Sequence, residues 1–209
     1  MHSGTLYVIS APSGAGKSSL IKAYLRSEPS RSRSCLSISH TTRPKRPGEI
    51  EGEHYYFIDN DTFQAMVKGS EFIEYAQVFD YHYGTSQATV ESMLAQGSDL
   101  FLDIDWQGAQ QVREKIAETC TIFILPPSRQ ALEQRLYHRG QDSQAVVTRR
   151  MDTAVDEMSH CHEYDYLIIN DDFQKALSDL KTIITATRLQ YRQQYLRCGS
   201  LLKQLLSKN

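Results

Sequence analysis

Ser10-Ala11-Pro12-Ser13-Gly14-Ala15-Gly16-Lys17-Ser18 is the stretch on which the reading of this chain turns. It follows residues 5–10 (TLYVIS), a short apolar, β-branched run, and leads into residues 18–26, which carry Leu20, Ile21, Tyr24 and Leu25 on one helical face. Strand, glycine-rich turn and helix in that order make a phosphate-binding loop. Gly14 and Gly16 let the backbone approach an anion, successive N–H groups wrap round it, and the helix N-terminus adds positive potential. Lys17 is set to reach the β- and γ-phosphates of a nucleotide, and Ser18 to face a magnesium ion. The strict pattern has a glycine where this chain has Ala11, a change the loop tolerates if φ stays negative there.

Outward from the loop, residues 99–105 (DLFLDID), 121–125 (TIFIL) and 166–169 read as further buried strands. Helices are expected at 107–118, 130–139 and 144–160, with most of 173–202 helical. Buried strands alternating with helices predict an α/β fold with a parallel sheet covered on both faces. Residues 37–89 break the alternation. They hold short strands near 36–39, 54–58 and 72–78, a polar loop at 42–53 (TRPKRPGEIEGE), a helix at 61–69 opening on an Asp cap, and a helix at 86–96. The fold class is therefore a P-loop parallel-sheet core flanked by helices, formed by 1–36, 90–127 and 154–209, with an inserted lobe at 37–89. The Arg-rich segment 128–153, broken at Gly140, reads as a mobile helical lid. Asp103 and Asp105 end a buried strand, where ligands of parallel sheets gather. An acid there holds a water of a magnesium shell or caps the helix that follows.

With 209 residues and 40% hydrophobic content the chain has enough apolar material for a core. Lys plus Arg number 23 against 25 Asp plus Glu, a near balance that argues against a dedicated nucleic-acid binder. Cys35, Cys120, Cys161 and Cys198 lie far apart without a CxxC pair, so neither zinc nor a disulfide framework is expected. The start lacks a basic segment followed by an apolar one, and no run approaches a membrane span. A cytoplasmic location is the expectation, with no membrane partner. The sequence does not specify an oligomeric state.

The chain resembles the guanylate kinase family from Leu6 to about Leu180. The carrying segments are SAPSGAGKSS at 10–19, SISHTTRPKRPG at 37–48, EFIEYAQ at 71–77, YGTS at 83–86, DIDWQG at 103–108 and DYLIINDD at 165–172. The resemblance implies phosphoryl transfer from ATP to GMP, and to dGMP, in purine nucleotide metabolism. It also implies that 37–89 is a GMP-binding lobe and that Mg²⁺ accompanies ATP. Residues 11–19 (Ala11, Pro12, Ser13, Gly14, Ala15, Gly16, Lys17, Ser18, Ser19) would hold ATP, with Asn170 in the adenine pocket. Arg43 and Arg46, with Tyr55 and Tyr83, would grip the GMP phosphate. Ser39, Glu74 and Thr85 would read guanine, a carboxylate answering the adjacent N1–H and N2–H₂ donors. Asp105 would lie near the guanine amino edge, and Asp103, through water, nearer magnesium beside Ser18; the residues alone do not divide those two roles. Arg135, Arg139 and Arg150 match lid arginines that close on the transferring group, so that with Lys17 and Arg43 they make up the expected catalytic set. Two alternatives share this core: a kinase of another acceptor, against which Ser39, Glu74 and Thr85 speak, and a scaffold-type binding module, against which the intact Gly14, Gly16, Lys17 and Ser18 speak.

Overall fold

A computed structural model describes residues 4–28, 34–78, 80–138 and 144–207. The chain enters through β1 (Leu6–Ser10), turns through the phosphate loop into α1 (Lys17–Ser27), and continues as β2 (Ser34–Leu36). Next come β3 (His40–Thr41), β4 (Tyr56–Phe57), α2 (Asn60–Lys68), β5 (Phe72–Val78), β6 (Tyr81–Ser86) and α3 (Gln87–Ala95). It returns through β7 (Asp99–Asp103), α4 (Trp106–Lys115), β8 (Cys120–Leu125), α5 (Arg129–His138) and α6 (Gln144–Ser159). Then β9 (Tyr166–Ile169), α7 (Phe173–Leu189) and α8 (Tyr191–Leu206) complete it.

Five parallel strands form one sheet in the order β2-β7-β1-β8-β9. Strand alternation divides its side chains between two cores. Tyr7, Ile9, Phe101 and Ile122 face α1 and α7, where Leu20, Ile21, Leu180 and Ile184 meet them. Leu6, Val8, Leu100 and Leu102 face α3 and α4, against Val90, Leu94, Ala109 and Val112. A third, small cluster of Leu132, Leu136 and Ala154, with Met151 and Met158, joins α5 to α6. Asp99 anchors the C-terminal helices. It is buried, and its carboxylate accepts from Thr5 N at 3.0 Å, Arg188 Nε at 2.7 Å and an Arg197 terminal nitrogen at 2.7 Å.

The second sheet, β4-β3-β6-β5, is built entirely from residues inside the expected insert. His40 packs on Tyr56 and Phe72, and His82 stacks on Phe63, so both histidines serve this lobe's own core. Several boundaries differ from the sequence reading. The cap of α2 is Asp59, whose side chain accepts from Thr62 N at 2.7 Å, and Asp61 falls inside the first turn. Strand β6 was not expected, because its run YHYGTS is polar and aromatic without apolar alternation. The expected buried strand at 166–169 is a sheet edge, with Leu167 50% and Ile169 45% exposed. The stretches set apart at 37–89 and 128–153 end within α3 and α6, because each helix runs on into a shared apolar cluster.

Candidate active site

The C-terminal ends of β1 and β7 lie side by side, with Ile9 paired to Asp103. The phosphate loop and the acid-bearing strand end therefore meet. Gly16 caps α1 in the left-handed region at φ +97°, and no side chain caps the helix, which leaves its first N–H groups facing the cavity. A side chain at Gly16 is also barred by space, since a Cβ there would lie 2.5 Å from Asn170 Nδ2. Asn170 is buried beneath the loop and donates to Ala15 O at 2.7 Å. The amide expected near adenine thus supports the loop itself in this state. Lys17 Nζ pairs with Asp103 Oδ1 at 2.7 Å and donates to Ile104 O at 2.8 Å. Ser18 Oγ donates to Asp103 Oδ2 at 2.5 Å. Burial works against the Asp103 carboxylate, but Lys17 and Ser18 outweigh it and hold its pKa below the usual range.

Asp105 caps α4, accepting from Gly108 N at 2.9 Å, so the capping reading of the acids holds for this one; it also lines the cavity. Next to it stands Glu74 of β5, 3% exposed. Thr85 Oγ1 donates to Glu74 Oε1 at 2.5 Å, and Ser39 Oγ lies 3.3 Å from Thr85 Oγ1. Burial, with Asp105 adding to it, pushes the Glu74 carboxyl up to about 7. Its seat exists because residue 108 is glycine: a Cβ there would lie 2.5 Å from Glu74 Oε2. Helix α4 also clasps β5 through Lys115, which donates to Phe72 O and Ile73 O, and Gln111, which bonds both backbone groups of Tyr75.

One cavity of about 300 Å³ is lined by Ala11–Gly14, Gly16–Ser19, Ser39, Tyr55, Glu74, Tyr83, Asp103 and Asp105, among others. Asp103 faces the phosphate loop within it, and Asp105 the Glu74 side. Tyr55 and Tyr83 stand with ring centroids 5.9 Å apart, and burial pushes the Tyr55 hydroxyl up to about 12. The Arg43 guanidinium lies over Tyr55, 5.4 Å from its centroid. Arg46 is exposed on the neighbouring loop. Arg135 donates to Asn170 O at 2.9 Å, and neither it nor Arg150, half-buried on α6, is among the lining residues. Arg139 and Gly140 lie outside the described residues.

The geometry adds two acids the sequence reading passed over. Glu49 pairs with Arg43, and Glu157 of α6 accepts from Ser13 N at 3.3 Å and lines the cavity. Burial raises the Glu157 carboxyl. A carboxylate in the Arg-rich loop at 42–53 was the available signal for Glu49. Glu157 had none, since its place depends on how α6 folds back over the loop.

A strand-to-helix phosphate loop and a buried carboxylate thus open on the same cavity. The family model described as guanylate kinase matches residues 3–187. The chain belongs to the guanylate kinase family. A guanylate kinase of Salmonella typhimurium is 57% identical over 207 residues, covering 99% of this chain and all of that protein. One from Escherichia coli K12 is 56% identical over the same length, with the same coverage. Among solved structures, a guanylate kinase from Anaplasma phagocytophilum superposes with a TM-score of 0.74 at 32% identity, covering 90% of this chain and 88% of that one. A gluconokinase from Sinorhizobium meliloti, 14% identical with a TM-score of 0.51 over 92% of this chain and 99% of that one, shares the fold alone. The P-loop parallel-sheet core expected from the sequence is thus the fold of a guanylate kinase family member. Among the described residues no helix is long and apolar enough to cross a membrane.

Proposed function

We propose that this guanylate kinase family member transfers the γ-phosphoryl group of ATP to GMP, giving ADP and GDP, and accepts dGMP, which carries the same base and phosphate. The observation that carries the reading is a shared cavity. It joins a phosphate loop, Ser13–Ser18, to a buried carboxyl, Glu74, flanked by hydroxyls suited to a guanine edge. An acceptor phosphate oxygen is a competent nucleophile, so no general base is needed. It forms a bond to the γ-phosphorus as the bond from that phosphorus to the β–γ bridging oxygen breaks. The protein supplies alignment and neutralises charge.

In this reading Lys17 exchanges its Asp103 partner for phosphate oxygens, and Arg43, Arg46, Tyr55 and Tyr83 hold the GMP phosphate. Ser39, Glu74, Thr85 and Asp105 read the base. Residues 37–89 and 128–153 act as acceptor lobe and lid. Arg135 and Arg150 reach the transferring group when the lid closes, as does Arg139. Closure also keeps water from the γ-phosphate. The residues fit a magnesium ion: the Ser18 hydroxyl and the Asp103 carboxylate are adjacent hard oxygen donors, of the kind Mg²⁺ takes alongside phosphate oxygens and water. Mg²⁺ would supply charge neutralisation on the phosphates, while Asp103 and Ser18 orient it.

The test is an ATP-dependent assay across GMP, dGMP, AMP, CMP and UMP. GMP should lead AMP in kcat/KM by about 10⁴, the discrimination open to a site built to hydrogen-bond a donor its rival lacks. Equal turnover of AMP would remove the guanine assignment, and no turnover of any monophosphate would leave a binding module.

A further inference from the structure

We propose that Glu49 is a positioning residue for the acceptor phosphate, setting Arg43 and the backbone at Arg46 in register before GMP arrives. The proposal rests on the reading that these two arginines take that phosphate. One Glu49 oxygen accepts from Arg43 Nη2 at 2.6 Å, and the other accepts from Arg46 N at 2.8 Å. A single carboxylate therefore ties the side chain of one arginine to the main chain of the other. The Glu49 N–H closes the turn on Arg46 O at 3.1 Å.

The loop needs such a tie. It contains Pro44, Pro47 and Gly48, none of which lends it a regular backbone ladder. Arg43 itself is 7% exposed, an unusual depth for a long charged side chain. Its guanidinium is fixed at two further places: Nη1 donates to Pro44 O at 2.8 Å, and its face lies over Tyr55 and Phe57 at 5.4 and 5.8 Å. These bonds use one N–H of each terminal nitrogen. The guanidinium carries five, so three remain for a phosphate while Glu49 stays bound. Tyr83, which lines the cavity, adjoins the same guanidinium. The Glu49 carboxylate is thus an outer partner that fixes the fork beside Tyr55 and Tyr83, the two tyrosines that line the cavity. Its own pKa is held below the usual range, first by the bond from Arg43, so it remains charged throughout the neutral range.

Affinities for GMP and for guanosine, which lacks the phosphate, should be measured by calorimetry for the parent, Glu49→Gln and Glu49→Ala, together with KM for ATP. The expected result is a loss of GMP affinity of about 10–100-fold in Glu49→Ala, the worth of a charge-assisted bond, and a smaller loss in Glu49→Gln. Guanosine affinity and KM for ATP should move by less than about twofold on that basis. Three results would overturn the proposal: an equal fall for guanosine, unchanged or tighter GMP binding, or a Glu49→Gln protein that does not fold, which would make the residue structural. A parent that binds GMP no better than guanosine would instead sink the assignment of the arginines to the phosphate. The two failures are therefore told apart.

Discussion

Replacing Glu74 by Gln should flatten the acid side of the pH profile for GMP. In the free protein the Glu74 carboxyl is buried among Thr85, Ser39 and the N-terminus of α4, and burial raises it from 4.5 to about 7. Guanine presents N1–H and N2–H₂, so binding selects the ionised carboxylate. Below pH 7 the site must first lose a proton. The ionised fraction, and with it the apparent affinity, should fall about tenfold per pH unit, to roughly one-tenth of its plateau at pH 6. Above about pH 8 the profile should be level. A group whose folded pKa is raised contributes stability that is full below its unfolded value. The free protein should therefore lose this contribution as pH rises from 4.5 through about 7. Gln cannot titrate. Ionisation of the GMP phosphate affects parent and variant alike, so the ratio of their kcat/KM values isolates Glu74. At pH 8 the variant should be down by about 10–100-fold for GMP, the loss of one charge-assisted bond. Its GMP-over-AMP ratio should narrow, because the amide can donate to adenine N1. The assay is kcat/KM for both monophosphates between pH 5.5 and 8.5, read by nucleotide separation. Superimposable profiles for parent and variant, or an unchanged GMP-over-AMP ratio, would refute the reasoning.

Lys17→Ala should lower turnover by on the order of 10²–10³ with the circular dichroism spectrum unchanged, since it removes one charge aimed at the moving phosphoryl group. Activity within about threefold of the parent would take Lys17 out of the mechanism. Gly16→Ala forces a Cβ into a left-handed position and to 2.5 Å from Asn170 Nδ2. It should cost roughly 1–3 kcal/mol in thermal unfolding and weaken ATP binding, and an unchanged melting curve would contradict the close approach. Asp99→Ala strips a buried carboxylate from Arg188, Arg197 and the Thr5 amide, and should cost about 3–5 kcal/mol in urea unfolding. A loss under about 1 kcal/mol would mean that the C-terminal helices dock without it.

The phosphate loop was legible because its signal is local. Gly14, Gly16 and Lys17 lie within four consecutive positions between an apolar strand and an apolar-faced helix, and the required backbone follows from those residues alone. The buried strands 6–10, 99–103 and 120–125 were legible for a similar reason, being runs too apolar to face water. Strand β6 escaped, since Tyr81–Ser86 pairs with β3 and β5 through backbone bonds that leave no apolar period to read. The edge position of β9 escaped as well, because Leu167 and Ile169 look like core until the strand order is known.

The sequence by itself determined the class of chemistry: a loop for phosphates, an acid at a strand end, arginines in two polar stretches, and an ordered set of segments resembling one family. Only the tertiary structure decided which acid meets which base. Along the sequence Glu49 and Glu157 carry no mark that sets them apart, and the residues alone do not divide the roles of Asp103 and Asp105. Folding sets Asp103 on Lys17 and Ser18, Glu49 on Arg43, Asp105 on the amide of Gly108, Glu157 on the amide of Ser13, and Glu74 in a buried seat against Thr85 and Gly108. Charge pairing and burial act over a few ångströms, and for Asp103 and Glu157 those distances exist only once segments far apart in the chain lie side by side. Glu74 is pushed to about 7 because its neighbours in space, not in sequence, deny it both water and a close cation.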